Sequence, residues 1–224
     1  MTAPTSTDGD AARPIGGTYT FGGRKGRIGP MRQRALDELV PQYLARPPLE
    51  LGSRVIVEIG CGKGDATAAM AASDAVAGAI VIACEANAAT IANLALLLDD
   101  AEIDNVRLWL GDALALLTTL GADSVSEIRV WFPDPWPKPR QSRKRLIVPE
   151  RFAVIVDSLV VGGRLRLATD DHAYAAQTVA AIAADPRLRG GVVARPPERP
   201  VTVFEARGLR DGRQAIDIEA VRVA

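Results

Sequence analysis

From Arg54 onward the chain alternates, and the alternation leaves few folds open. Short runs rich in β-branched residues, "RVIVEIG", "GAIVIACE", "NVRLWLGD", "EIRVWFPD" and "GRLRLATDD", are separated by Ala/Leu-rich stretches of helical length such as "NAATIANLALLLDDAE" and "HAYAAQTVAAIAA". Strands that alternate with helices are joined by crossovers, which predicts a mostly parallel sheet with helices on both faces. The end of the chain breaks the rhythm: "VTVFEARG" and "QAIDIEAVRV", joined by the turn-rich "LRDGR", read as an antiparallel closing pair of strands, making seven in all. Ligands of such sheets gather at the carboxyl ends of the strands. Each of the first five runs ends in a chemically useful residue: Gly60, Glu85, Asp112, Asp134 and Asp170.

A chain of 224 residues is long enough for one domain with a sizeable core. Its apolar share of 48% is largely aliphatic, with only 4% aromatic residues, which suits buried parallel strands. Two cysteines, Cys61 and Cys84, are too few for a disulfide framework, and a single histidine, His172, leaves no Cys/His metal spacing. There is no apolar run of about 18 residues for a membrane span, and "MTAPTSTDGDAARP" lacks the basic-then-apolar order of a signal peptide. These features predict a cytoplasmic protein that binds no metal and inserts in no membrane; they imply no obligate protein partner and leave the oligomeric state open. Residues 1–18 read as a disordered tail and 19–53 as a Gly-rich basic arm with a first helix; the α/β domain spans 54–224. The arm, with Arg24, Lys25, Arg27, Arg32 and Arg34, is either a solvated leader or a phosphate-binding segment.

The first strand runs into "EIGCGKGD", Glu58 to Asp65. Gly60, Gly62 and Gly64 allow a tight turn and a close backbone approach to a ligand. A dinucleotide fingerprint requires G-x-G-x-x-G, and here the third glycine arrives one residue early. The turn therefore favours a nucleoside without phosphates, of which S-adenosylmethionine is the common example. Glu85, at the end of the second strand, is placed to accept from ribose hydroxyls. Asp112 is placed to accept from an adenine amino group, to cap the helix after it, or to do both.

After the fourth strand comes "FPDPWPKPRQSRKR". Pro133 and Pro135 restrict the backbone on both sides of Asp134 and hold its carboxylate at the strand end. Trp136 can wall or stack on a base. Lys138, Arg140, Arg143, Lys144 and Arg145 form a compact cationic stretch, which in a chain of zero net charge reads as a local phosphate-contact surface. The competing readings are a plain turn, a core tryptophan and a solvated charge run.

The glycine turn, Glu85 and Asp112 look like those of a class I S-adenosylmethionine-dependent methyltransferase with a Rossmann-like fold. "FPDPWPKPRQSRKRLIVPERF", "GGRLRLATDDHAYA" and "TVFEARG" resemble the bacterial tRNA (guanine-N7)-methyltransferase family over nearly the whole chain from Tyr19 onward. The resemblance implies methyl transfer from S-adenosylmethionine to N7 of a tRNA guanine, nucleotide 46 of the variable loop. It implies Glu58, Glu85, Asp112 and Asp134 around the cofactor with the glycine turn, and Asp134 as the catalytic aspartate. It carries substrate contacts over to Lys138, Asp170 and Thr202, Val203, Phe204 and Glu205, and RNA contacts to Arg140, Gln141, Ser142, Arg143, Lys144 and Arg145. It also tilts the basic arm toward an RNA-binding role. Two departures stand out: Val203 occupies a position where the family often has lysine, and "VVGG" at 160–163 lacks the usual proline. Exocyclic-amine methyltransferases, which place two prolines between the acid and the aromatic residue, are a rival class. An RNA-binding module with a vestigial core and a nucleotide-dependent oxidoreductase are others.

Overall fold

In the computed structural model, residues 15, 19–21, 28–46 and 54–224 are described. The expected tail, apart from Ile15, and the arm residues Arg24, Lys25 and Arg27 lie outside them. Helices α1 (Pro30–Glu38) and α2 (Val40–Tyr43) lead into strand β1 (Val55–Ile59), helix α3 (Asp65–Ala71) and β2 (Ile80–Glu85). Then follow α4 (Ala88–Asp100), β3 (Val106–Leu110), α5 (Ala113–Leu120), β4 (Val125–Trp131), α6 (Pro149–Ser158) and β5 (Leu159–Thr169). The chain closes with α7 (His172–Ala184), β6 (Leu188–Val193), α8 (Val203–Arg210) and β7 (Ile216–Arg222).

The strands form one sheet in the order β3-β2-β1-β4-β5-β7-β6. The first five are parallel, whereas β7 runs antiparallel to both β5 and β6. The order reverses between β1 and β4, so a crevice opens there at the carboxyl ends. Helix starts follow from short polar side chains: Asn87 accepts from the Thr90 N–H, Asp112 from Leu114 and Asp171 from Tyr174. His172 is simply the exposed residue that follows the last of these caps. Helix α6 starts instead with Pro149 at its first position, where a missing N–H costs nothing.

Period-two alternation in the strands divides the interior. One face carries Val57, Ile128, Val130, Leu165 and Leu167 into a core closed by Leu114 and Leu117 of α5, Ile155 and Val156 of α6 and Tyr174 of α7. The opposite face of β1, β2 and β3 carries Ile56, Val81, Ala83 and Leu108 into a second core under Ile91, Leu94 and Leu98 of α4.

The closing pair is antiparallel as expected, but its members differ. "VTVFEARG" is helix α8, and the partner of β7 is β6, within the Gly-rich "LRGGVV". Thr202 accepts the Glu205 N–H and starts the helix three residues before an acid, a local signal that outweighs the strand preference of Val201, Val203 and Phe204. Strand β5 begins at Leu159, directly after α6 ends at Ser158.

Candidate active site

A cleft of about 210 Å³ sits at the switch point, lined by the carboxyl ends of β1 to β4. It gathers Gly60, Gly62, Glu85, Asp112 and Asp134, with Ile59, Val130 and Leu114 as apolar wall. Phe204 of α8 and Lys144 complete the rim. Among the described residues three carboxylates stand against one ammonium, an anion-lined setting that suits a cationic ligand and disfavours a pyrophosphate.

The floor is the turn after β1. Gly60, Gly62 and Gly64 have φ of 78°, 57° and 88°, a region that side chains with a Cβ rarely adopt. At Gly64 space adds a second reason: a Cβ there would stand 2.5 Å from Leu94 Cδ1. Glu58 lies beneath the turn and does not line the cleft. It is only 2% exposed, and its carboxylate accepts from Thr67 Oγ1 of α3 at 2.8 Å. Burial pushes its carboxyl up, while the Thr67 hydrogen bond and the Arg129 guanidinium pull the other way.

Glu85 closes β2 and accepts from the Asn87 N–H at 2.9 Å. Burial also raises its carboxyl; the N–H groups of Asn87, Ala86 and Gly62 oppose this, and the nearby Asp134 carboxylate adds to it. Asp112 caps α5 through Oδ1, 2.9 Å from the Leu114 nitrogen. It therefore serves the helix and faces the cleft together. The two thiols sit beside these acids. Cys61 in the turn and Cys84 on β2 are both buried and free, and burial, followed by the Glu58 carboxylate, pushes both well above the usual thiol range.

Asp134 stands exposed on a bent segment. The flanking Phe132 and Trp136 have φ of 51° and 42°, strained values for bulky side chains that persist only where the surroundings over-determine them. Those surroundings are visible. The Phe132 N–H donates to the Ala168 carbonyl at 2.8 Å, and Arg145 Nε donates to the Pro135 carbonyl at 2.8 Å. Trp136 Nε1 donates to the Thr20 carbonyl at 3.1 Å, and Lys144 Nζ lies 4.6 Å from the centre of its ring. Thr20 and Phe21 of the arm thus line the cleft too, which the sequence reading missed. The aromatic pair Tyr19 and Phe21 inside a Gly-rich leader was the available signal.

Lys138 is exposed at the entry to a 3-10 helix, Pro139–Lys144. Arg140, Ser142 and Arg143 are exposed on it, whereas Gln141 and Lys144 are half-buried. Arg145 is turned inward onto Pro135 and Gln177. Fully buried Arg151 sits behind, donating through Nη1 to the carbonyls of Arg143 and Arg145 and through Nε to that of Ile15.

The remaining expected substrate residues lie around α8, outside the cleft lining apart from Phe204. Asp170, just past β5, accepts from Arg213 Nε at 2.7 Å. Thr202 caps α8, and Val203 is exposed at its first position. Glu205 points the other way, into the protein: it is 2% exposed and its carboxylate is held by Arg199 and Arg195. Arg199 also binds Asp217 of β7 with Nε and Nη2, at 2.6 and 3.0 Å, and its guanidinium lies 5.7 and 5.8 Å from the ring centres of Trp131 and Phe132. Nothing in the reading of the sequence had singled out Arg199.

A narrow cleft with glycines as floor, two strand-end acids spaced along it and a third at its rim fits a nucleoside that carries a positive charge. Residues 53–218 match the Methyltransf_4 family model, whose description is "Putative methyltransferase". A Streptomyces avermitilis protein named tRNA (guanine-N(7)-)-methyltransferase is 35% identical over 240 residues, with 98% of this chain and 82% of that protein covered. A protein of the same name from Acidithiobacillus ferrooxidans is 38% identical over 206 residues, covering 87% of this chain and 90% of its own length. Among solved structures, an rRNA methylase from Streptococcus thermophilus gives a TM-score of 0.53 at 16% identity, covering 89% of this chain and 100% of that one. An S-adenosylmethionine-dependent O-methyltransferase from Thermotoga maritima gives 0.51 at 17% identity, covering 90% and 68%. These two share the fold alone, a seven-stranded class I methyltransferase sheet. With its sequence matched nearly end to end by such relatives, the chain belongs to the tRNA (guanine-N7)-methyltransferase family.

Proposed function

We propose that the protein methylates N7 of guanine 46 in the variable loop of tRNA, using S-adenosylmethionine, with Asp134 as the residue that positions the base. The observation that carries this reading is the placement of Asp134. It stands on a strained, multiply held turn at the rim of the cleft, one turn of chain away from a cationic helix.

When bound, S-adenosylmethionine supplies a methyl group activated by its sulfonium. The protein's own part starts with orientation. Glu85 is suited to accept from the ribose hydroxyls and Asp112 from the adenine amino group, while the glycine turn lets the backbone come close. Glu58 acts from below, holding α3 against the turn through Thr67.

Guanine N7 has a lone pair and no proton, so no general base is required. The purine becomes cationic as the methyl arrives. A carboxylate beside it favours that charge, and the same carboxylate can accept from the Watson–Crick edge and fix which base is held. The exposed carboxylate of Asp134 at the cleft rim supports one or the other of these roles. Phe204 offers an exposed ring at the cleft mouth, and Arg140 and Arg143 offer unburied guanidinium groups for phosphates. Recognition of this kind reads RNA shape and an exposed base more than sequence. The reading places the enzyme with tRNA in the cytoplasm.

The test uses purified protein, S-adenosylmethionine and unmodified tRNA, with digestion and mass spectrometry for 7-methylguanosine. The unsubstituted protein forms it, and Asp134→Ala lowers the rate by at least about 100-fold, the scale of losing one pre-organised electrostatic group. Undiminished product from Asp134→Ala would overturn the assignment.

A further inference from the structure

Within the cationic stretch the arginines do different things. Arg140 and Arg143 are exposed, but Arg145 is folded back against the protein. Its Nε donates to the Pro135 carbonyl at 2.8 Å and its Nη1 to Gln177 Oε1 at 2.6 Å. The guanidinium lies over the Tyr174 ring, 5.7 Å from its centre. Gln177 cannot turn away freely, because its amide nitrogen is bonded to the Ile147 carbonyl. Arg145's own carbonyl is gripped by Arg151 Nη1. Two of its five N–H donors and one face are engaged within the protein, and the side chain is half-buried where those of Arg140 and Arg143 are exposed.

What it holds matters more. The Pro135 carbonyl belongs to the peptide that enters Trp136, one of the two bulky residues with positive φ around Asp134. Pro133 and Pro135 have no N–H, so this segment has few bonds of its own and its strained shape must be imposed from outside. We infer that Arg145 is a positioning residue for Asp134, a strut between α7 and the Pro-Asp-Pro turn, and not an RNA phosphate ligand. This rests on the reading that Asp134 positions the base. It links RNA binding to chemistry, since the strut is continuous with the helix bearing Arg140 and Arg143.

Phosphate ligands and struts give different signatures. Removing one cation that neutralises a phosphate reduces the slope of log affinity against log salt by about 0.7–0.9. Arg145→Gln is expected to lower kcat at least tenfold, with tRNA affinity within twofold and the salt slope unchanged. Arg145→Lys keeps the charge but not the fork, and is expected not to restore kcat. Arg143→Gln is expected to weaken tRNA binding and flatten the slope by about 0.7–0.9. Gln177→Leu removes the strut's far anchor while leaving Arg145 in place, and is expected to lower kcat several-fold at constant slope. It also serves as the test if Arg145→Gln fails to fold, as judged by thermal unfolding. A flattened slope with kcat retained in Arg145→Gln, full rescue by lysine, or unaltered kcat in Gln177→Leu would each overturn the strut while leaving the enzyme's reaction intact. An unsubstituted protein that forms no 7-methylguanosine would overturn both.

Discussion

On one face of the sheet, the half made by β1, β2 and β3 and the half made by β4, β5 and β7 are covered in opposite ways. Over the first half, Ile56, Val81, Ala83 and Leu108 meet Ile91, Leu94 and Leu98 of α4 in a wholly aliphatic contact. Over the second, the same face carries Glu127, Arg129, Arg166, Asp217 and Glu219, with Arg129, Arg166 and Glu219 in register on adjacent strands. They are met by Glu198, Arg199 and, from α8, Glu205. Glu58 of β1 is the register partner of Arg129 and marks the border.

An aliphatic contact is strong but non-directional, and it fixes the depth of a helix better than its rotation. The forked bonds of Arg199 to Glu205 and Asp217 specify both. That is what α8 requires if Phe204 is to stand at the cleft mouth, and the same guanidinium backs the rings of Trp131 and Phe132 that lead to Asp134. The aliphatic half therefore supplies stability and the ionic half orientation, because buried ion pairs add little net stability while being costly to break.

The largest expected effect comes from breaking the second half. Arg199→Met takes Arg199 from buried Asp217 and leaves Glu205 with Arg195 alone, and should cost about 3–5 kcal/mol in urea unfolding. A loss below about 1 kcal/mol would mean the ionic half is not held this way. In the first half, Leu94→Ala should cost roughly 3 kcal/mol. Its loss should be the same at pH 4 and pH 7, whereas that of Arg199→Met should shrink at the lower pH as Glu205 takes up a proton.

Acidity sharpens the contrast further, because the two halves titrate with opposite sign. Burial works against the Glu205 carboxylate, but Arg199 and Arg195 outweigh it and hold its carboxyl below the ordinary 4.5. Its contribution to stability is present above that value and lost as pH falls through the lowered pKa. Burial raises Glu58 above 4.5, so its contribution is present below that value and lost as pH rises through the raised pKa. Denaturation from pH 4 to 7 should show Glu58→Gln gaining on the unsubstituted protein as pH rises, and Glu205→Gln falling behind it. The smallest effect is at Asp112. Alanine there should cost about 1 kcal/mol through the missing cap, asparagine much less, yet both should weaken S-adenosylmethionine binding by calorimetry.

The first half is also the half that could be read from sequence. Its strands are aliphatic runs and its acids fall at strand ends, so Glu85 and Asp112 declare themselves by position, as Asp134 does after β4. The second half hides, because charges placed inside strands look like solvent-facing residues until the cover is known. The substrate contact expected at Glu205 comes from the family resemblance alone, and Arg199 carries no signal in the sequence. Helix α8 reads as a strand in the sequence because its entry, Val201 to Phe204, is β-branched and aromatic, although the spacing of Thr202 and Glu205 marks its start. Strand β6 was passed over because Gly190 and Gly191 weaken any strand pattern. In the fold Gly190 is needed there, since a Cβ would come within 2.1 Å of the Glu219 carbonyl oxygen. Arg145 read as RNA-facing because a run of basic residues does not reveal which side chain bends back.

The buried thiols of Cys61 and Cys84 have a practical consequence. Cys61 is sealed in the core under α4 and Cys84 in the core on the opposite face of the sheet, and burial favours the protonated thiol at both, so alkylation by a maleimide requires the surrounding core to open. The labelling rates of the two thiols in the unaltered protein are thus clocks that count openings of the two cores separately, and that of Cys61 ticks more slowly whenever a ligand keeps the glycine turn shut.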